Sequence, residues 1–267
     1  QGGGALPLAG GFLGAPRGPA AGTLFSLLYA WFLLKREGFF HGGRWIPDTA
    51  YFKKVGPLFG SVLSEQGSER IGMVLFSRMA AGLGTVPFAV HSICMNICDI
   101  YYDFIMGFGK AGMVSAGQAV GRGSMADWQQ YRKRGLRWCL LLSTAACVSI
   151  LFFEDSLFSI YSSDPALHVL AGTIMIFIAL VSYPEALALW GAGILRGSGQ
   201  TAQVAAYSFL SITFLRPLMT AFFIYVLDMG LIGTWCALFI DQVIRASCAA
   251  FLVNRLSAKR GFLPEAG

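Results

Sequence analysis

Seven apolar runs of membrane-crossing length, separated by short connections, constrain this chain more than any other feature. A hydrocarbon core about 30 Å thick takes roughly 20 helical residues at 1.5 Å each. Runs of that order cover about 19–34, 55–81, 90–116, 136–153, 167–195, 204–227 and 231–253. With 55% hydrophobic residues, 13% charged residues and a mean hydropathy of +0.61, the chain cannot build the surface of a water-soluble domain, for which about a quarter of residues are normally charged. The fold expected is all-α: a polytopic membrane helix bundle of about seven transmembrane helices.

The net charge of +6 raises nucleic acid as a partner, but no basic stripe with interleaved aromatics is present, and membrane lipid is expected instead. The basic residues sort by connection. Of the 20 lysines and arginines, 14 fall within 35–54, 117–137 and 196–203 and in the tail after 253, whereas the leader and the alternate connections hold only Arg17. The positive-inside rule then makes the first group of connections and the C-terminus cytoplasmic; a plasma membrane, of the bacterial inner-membrane kind, is the expected location. Three regions follow. Residues 1–54 form an extracytoplasmic Gly-rich loop, one transmembrane helix and a cytoplasmic linker; 55–253 form a six-helix bundle; 254–267 form a tail. Gln1 is followed by no charged region ahead of an apolar one, so a signal peptide is not expected, and a region upstream is.

Cys94, Cys98, Cys139, Cys147, Cys236 and Cys248 all lie in apolar runs without a CxxC pair, and read as small packing residues. Neither a metal site nor an organic cofactor is expected, and the chain does not read as an enzyme. The informative residues are acids inside spans: Glu65, Glu69, Asp99, Asp103, Glu185 and Asp241. A charge at the centre of a membrane helix costs about 2.5–3.5 kcal/mol on insertion scales, so each should face the bundle interior or a wet cavity. Glu65 with Glu69, and Asp99 with Asp103, are four apart and share a helical face. Asp241 and Arg245, also four apart, predict a structural ion pair. Glu65 and Glu185 have no basic residue at that spacing, which makes them the candidates for cation coupling. Glu69, Asn96, Asp99 and Asp103 are secondary polar cavity candidates. Aromatics such as Phe76, Tyr101, Tyr102, Phe104 and Trp190 are further candidates for a cavity wall. Pro184 and Pro217 interrupt spans, as happens in transporters where freed backbone lines a cavity. Gly107-Phe-Gly109-Lys-Ala-Gly112 spells a dinucleotide-binding string, but it follows an apolar helix rather than a strand. Close approach of a second helix explains it better.

Several stretches taken together resemble the C-terminal half of the multidrug and toxic compound extrusion (MATE) family. They are Gly117-Gln118-Ala-Val-Gly121, Ile194-Leu-Arg196-Gly197-Ser-Gly199-Gln-Thr201, Arg216-Pro217, and Gly230-Leu-Ile-Gly-Thr-Trp235 followed by Asp241 and Arg245. Their order and positions relative to the spans agree with the family from about Gly14 to Arg260. The resemblance implies two six-helix bundles related by pseudo-two-fold symmetry, with the spans here standing as helices six to twelve. Helices one to five of the same protein would then be partners missing from this chain. It also implies that Glu65, eight residues after Pro57, and Glu185, eleven before Arg196, occupy positions that contribute to cation coupling in some members.

The function expected on that resemblance is a proton- or sodium-coupled antiporter exporting amphipathic, often cationic, drugs or toxic compounds, here as a truncated half. A lipid-linked saccharide flippase of related architecture is the alternative; it would need a more basic cavity for pyrophosphate than six intramembrane acids against five bases provide. An intramembrane aspartyl protease would need a GxGD partner to Tyr102-Asp103, which is absent. Spans alone also admit a channel or receptor.

Overall fold

The computed structural model describes residues 17–36, 49–159 and 165–258. The glycine-rich residues 1–16, the 37–48 linker, Asp164 of the acidic turn and the last residues, 259–267, lie outside them. Among the described residues there are helices and turns but no strand. Contacts divide the chain into two units, 1–53 and 54–267. The first unit contains α1 (Arg17–Arg36), whose Leu24, Phe25, Tyr29 and Phe32 are exposed.

The second unit holds most of α2 (Thr49–Ala81), then α3 (Thr85–Gly121), α4 (Met125–Phe152), the short α5 (Glu154–Ser159), α6 (Pro165–Gly197), α7 (Thr201–Val226) and α8 (Gly230–Ala258). Among the described residues, four stretches are long and apolar enough to cross a membrane by length and composition alone: α4, Leu170–Gly197 of α6, α7 and α8. The other long helices, α2 and α3, extend 33 and 37 residues and carry the intramembrane charges that lower their hydropathy. Many of the outward-facing side chains are large and apolar. Phe104 is 70% exposed, and Leu218 and Phe251 are each 66% exposed, a surface that belongs in lipid rather than water.

Helices outrun their apolar runs at one end. The 117–137 stretch, read as a connection, is almost wholly helical: α3 continues to Gly121 and α4 starts at Met125. Hydropathy marks the membrane slab, whereas the helix obeys its caps. Ser124 caps α4, its Oγ accepting from the Asp127 amide at 3.2 Å, and Asp127 in the first turn complements the helix dipole. Gly199, at φ +80°, makes the left-handed turn between α6 and α7 at almost no steric cost.

α6 is the axis of the bundle, with nearly every residue from Pro184 to Leu195 buried between α3, α4 and α8. Small residues permit this. A Cβ on Gly193 would run into the Gly109 carbonyl oxygen and lie 2.9 Å from its carbon, and one on Gly197 would collide with the Met113 carbonyl. Gly109 and Gly112 of the GxGxxG string thus serve close helix approach, whereas Gly107 has nothing within 4 Å. Trp190 lays its indole across Gly112 and Gly135, locking α3, α4 and α6 together. Tyr101 of α3 adds a polar pin, its hydroxyl 2.7 Å from Ser143 Oγ on α4 and donating to the Ser182 carbonyl on α6 at 2.8 Å.

Two apolar layers fill the interior. One gathers Val90, Cys94, Ile174, Ile178, Trp235 and Leu238; the other gathers Ile105, Trp128, Trp190, Ile194, Ala249 and Val253. Between them, near mid-length of α3, α6 and α8, the chain places its polar residues.

Candidate functional site

The polar belt opens into a cavity of about 290 Å³. α2 supplies Gln66, Glu69, Arg70 and Met73, and α3 supplies Met95, Cys98, Asp99, Tyr102, Asp103 and Met106. The α3 set recurs at three- and four-residue steps, one stripe of a helix. Glu185 enters from α6, Arg216 from α7, and Leu238, Gln242 and Arg245 from α8.

Of the residues singled out from sequence, Glu69, Asp99, Asp103 and Glu185 meet in this cavity. Asn96 does not: it is exposed and sits one step round α3 from Met95, past the edge of the lining stripe. Glu65 is on α2, four residues before Glu69, but its side chain lies outside those described. Of the aromatics, Tyr102 lines the cavity and Phe104 points outward, while Tyr101 and Trp190 belong to the packing between helices. Phe76 is buried under the Arg216 guanidinium, whose carbon is 5.9 Å from its ring centre.

The expected local ion pair is replaced by one between helices. Asp241, fully buried, accepts from Arg216 through Nε at 3.0 Å and through Nη2, and from Ser211 Oγ. Spacing along α8 favoured Arg245, but Arg216 approaches from α7 and places two donors on one carboxylate oxygen. The backbone of α7 makes this possible. Leu210–Leu215 is a π-helical stretch, in which the Arg216 amide bonds to the Ser211 carbonyl. Residues five apart lie on different faces of an α-helix, but the wider turn brings Ser211 and Arg216 onto the same side. Pro217, lacking an amide hydrogen, then starts the next α-helical segment, Arg216–Ala221.

Glu185 is buried directly after Pro184. Its Oε1 accepts from Gln242 Nε2 at 3.0 Å, and its Oε2 has no hydrogen-bond partner among the described residues. Gln242 Oε1 and Arg245 Nε are likewise without partners. Tyr102 and Gln66 donate to Glu69 at 3.4 and 3.3 Å. With Arg216 neutralised by Asp241, the cavity sets four carboxylates against Arg70 and Arg245, and two buried acceptor atoms, Glu185 Oε2 and Gln242 Oε1, have no donor among the described residues. Such a lining favours a cation over an anion. Gln242 and Ser211 were missed from sequence. Gln242 had a signal, an amide inside an otherwise apolar run; Ser211 had none, since its role depends on the π turn.

The remaining motif residues hold helices in place. Gly117 faces the Gly197 carbonyl across α3 and α6, where a Cβ would lie 3.5 Å from it. The Gln118 carbonyl accepts the Arg122 amide as α3 ends, and Gly121 is the last residue of that helix. Arg196 and Gly197 close α6, and the neighbouring Ser198 Oγ accepts from Trp128 Nε1 of α4 at 2.8 Å.

Residues 57–222 match the family model described as MatE. The chain is 26% identical over 184 residues to the probable multidrug resistance protein NorM of Xanthomonas campestris pv. campestris, covering 66% of this chain and 39% of that protein. It is 25% identical over 243 residues to multidrug and toxin extrusion protein 1 of Homo sapiens, covering 89% of this chain and 42% of that protein. A crystal structure of MATE in the straight conformation superposes with a TM-score of 0.76 at 16% identity, covering 88% of this chain and 53% of that one. The chain thus spans about half the length, or less, of the proteins it matches.

Proposed function

Because the chain belongs to the MatE family, we propose that it forms the C-terminal bundle of a cation-coupled antiporter that exports amphipathic, often cationic, compounds. The observation that carries this reading is Glu185: a buried carboxylate at mid-helix, held on one oxygen by Gln242 and open on the other toward an acid-rich cavity. A proton or a sodium ion would offset the cost of that burial in one state of the cycle and leave in the other. Coupling requires such a difference between states. Asp241 is the contrasting case, since a carboxylate fastened to Arg216 on a neighbouring helix is a structural tie.

Exported compounds would enter between this bundle and helices contributed by the rest of the protein, with Glu69, Asp99 and Asp103 providing attraction for cations. Orientation follows from charge. The ends of α3, α6 and α8 meet the start of α4 where Arg122, Arg132, Lys133, Arg134, Arg137, Arg196 and Arg255 gather, and that end is cytoplasmic on this reading. A pyrophosphate-linked saccharide is disfavoured by the same acidic lining.

The test is Glu185→Gln in the full-length protein, which keeps the shape and removes the ionisable group. Gradient-driven dye efflux should be lost under both pH and sodium gradients while membrane expression is kept. Wild-type efflux with unchanged dependence on both ions would overturn the assignment.

A further inference from the structure

A second cavity, of about 230 Å³, lies between α4, α6 and α8 at the basic end of the bundle, separate from the acidic one. Its lining has two characters. Arg132, Lys133 and Asn254 form a polar rim, while Leu136, Trp190 and Val253 are among the apolar side chains beneath. Leu136, Lys133 and Ala250 are exposed, so the groove opens sideways from the bundle.

From this arrangement we propose that the groove binds one anionic phospholipid of the surrounding bilayer, its phosphate on Arg132 and Lys133 and the start of an acyl chain along the apolar floor. Size favours part of a larger molecule: sites for whole drug-sized ligands begin at about 300 Å³. Charge favours an anion, because among the described residues no carboxylate pairs with Arg132 or Lys133. Arg132 is also held in place before any ligand arrives. Its Nη1 donates to Asn254 Oδ1 at 2.9 Å, its Cζ lies 5.9 Å from the Trp128 ring, and its Nε has no partner among the described residues. A free phosphate would satisfy the rim and leave the apolar floor uncovered; a lipid satisfies both. Basic pockets between transmembrane helices at the cytoplasmic side are suited to anionic head groups on general electrostatic grounds.

The proposal does not depend on the transport reading, and its test reads lipid rather than efflux. Purified full-length protein in detergent is titrated with phosphatidylglycerol and, separately, phosphatidylcholine, with bound lipid counted by native mass spectrometry. Phosphatidylglycerol should be retained preferentially, and Arg132→Gln with Lys133→Gln should weaken it roughly thirtyfold. Ala250→Phe, which fills the groove without touching charge, should also lose it, and this variant decides the matter if the charge variant fails to fold. Arg134→Gln removes a neighbouring charge outside the groove and should change retention less than twofold. Equal retention of the two lipids, an Arg134→Gln loss as large as that of the rim variant, or an unaffected Ala250→Phe would each overturn the site. Displacement of the lipid by millimolar inorganic phosphate would show a simple anion site and overturn the lipid assignment.

Discussion

Replacing Gly193 by alanine should destabilise this bundle far more than one methyl group suggests. The added Cβ would collide with the Gly109 carbonyl oxygen and lie 2.9 Å from the Gly109 carbon and 3.2 Å from its Cα. Carbon atoms pack best no closer than about 3.5 Å, so α3 and α6 must separate by roughly 0.6 Å to relieve the carbon contact, and further to clear the oxygen. A gap of about 0.5–1 Å forfeits a quarter to a half of each dispersion contact, and the seam that opens includes Ile105, Leu189 and the Trp190 indole. Overpacking typically costs about 1–3 kcal/mol, and backbone-to-backbone contact with no flexible side chain to yield places this site at the upper end. Gly107→Ala is the control, since its Cβ meets nothing within 4 Å, and it should be neutral or stabilising by up to about 1 kcal/mol through helix propensity. Thermal unfolding of both variants in one detergent at one scan rate is the assay. At about 2–4 °C per kcal/mol for a domain of 150–250 residues, Gly193→Ala should melt roughly 4–12 °C below wild type and Gly107→Ala no lower than wild type. Coincident melting of Gly193→Ala and wild type would refute the close-packed seam.

Two other perturbations follow from the same geometry. Asp241→Ala strands the buried Arg216 guanidinium and should cost about 3–5 kcal/mol, seen as lost monodisperse protein in size-exclusion chromatography, while adding Arg216→Met should recover much of the loss; a double variant no better than the single would show that the pair is not the tie described. For orientation, cysteines introduced at Met229 and Ser257 in a background without the six native cysteines should differ in intact cells, Met229→Cys reacting with an impermeant maleimide and Ser257→Cys reacting only after permeabilisation. Labelling of Ser257→Cys in intact cells would invert the topology.

The helices were legible because apolar length is a local property, and in a bilayer it is nearly sufficient. What hydropathy could not show was how far a helix continues past the slab: the α4 start depends on Ser124 and Asp127, a capping signal visible in the sequence but irrelevant to an apolar count. The candidate site was half legible. Glu69, Asp99, Asp103 and Glu185 announce themselves as acids in apolar surroundings, and their convergence on one cavity follows from the cost of leaving any of them in lipid. The Asp241 partner was not legible, because i,i+4 spacing describes one helix and the choice between Arg245 and Arg216 is made by how two helices cross. Asn96 illustrates a similar limit: being polar and mid-span places a residue at the right depth but does not say on which side of the helix it falls.

Leu210–Leu215, the first of two π-helical stretches in α7 (the second is Phe222–Val226), means that this helix stores spare chain. Leu210–Leu215 uses a five-residue closure where an α-helix would use four, so one residue there advances the chain without advancing the α-helical phase. Were that turn to tighten, everything beyond it would rotate by about 100°, the step of one residue at 3.6 per turn. Ser211 and Arg216 would part, and Asp241 could not keep both donors. The side-chain tie and the backbone irregularity therefore hold each other in place. A rotation of the far half of α7 would therefore require Asp241 to release at least one of these donors, which ties any repacking of the helix to the opening of a buried ion pair.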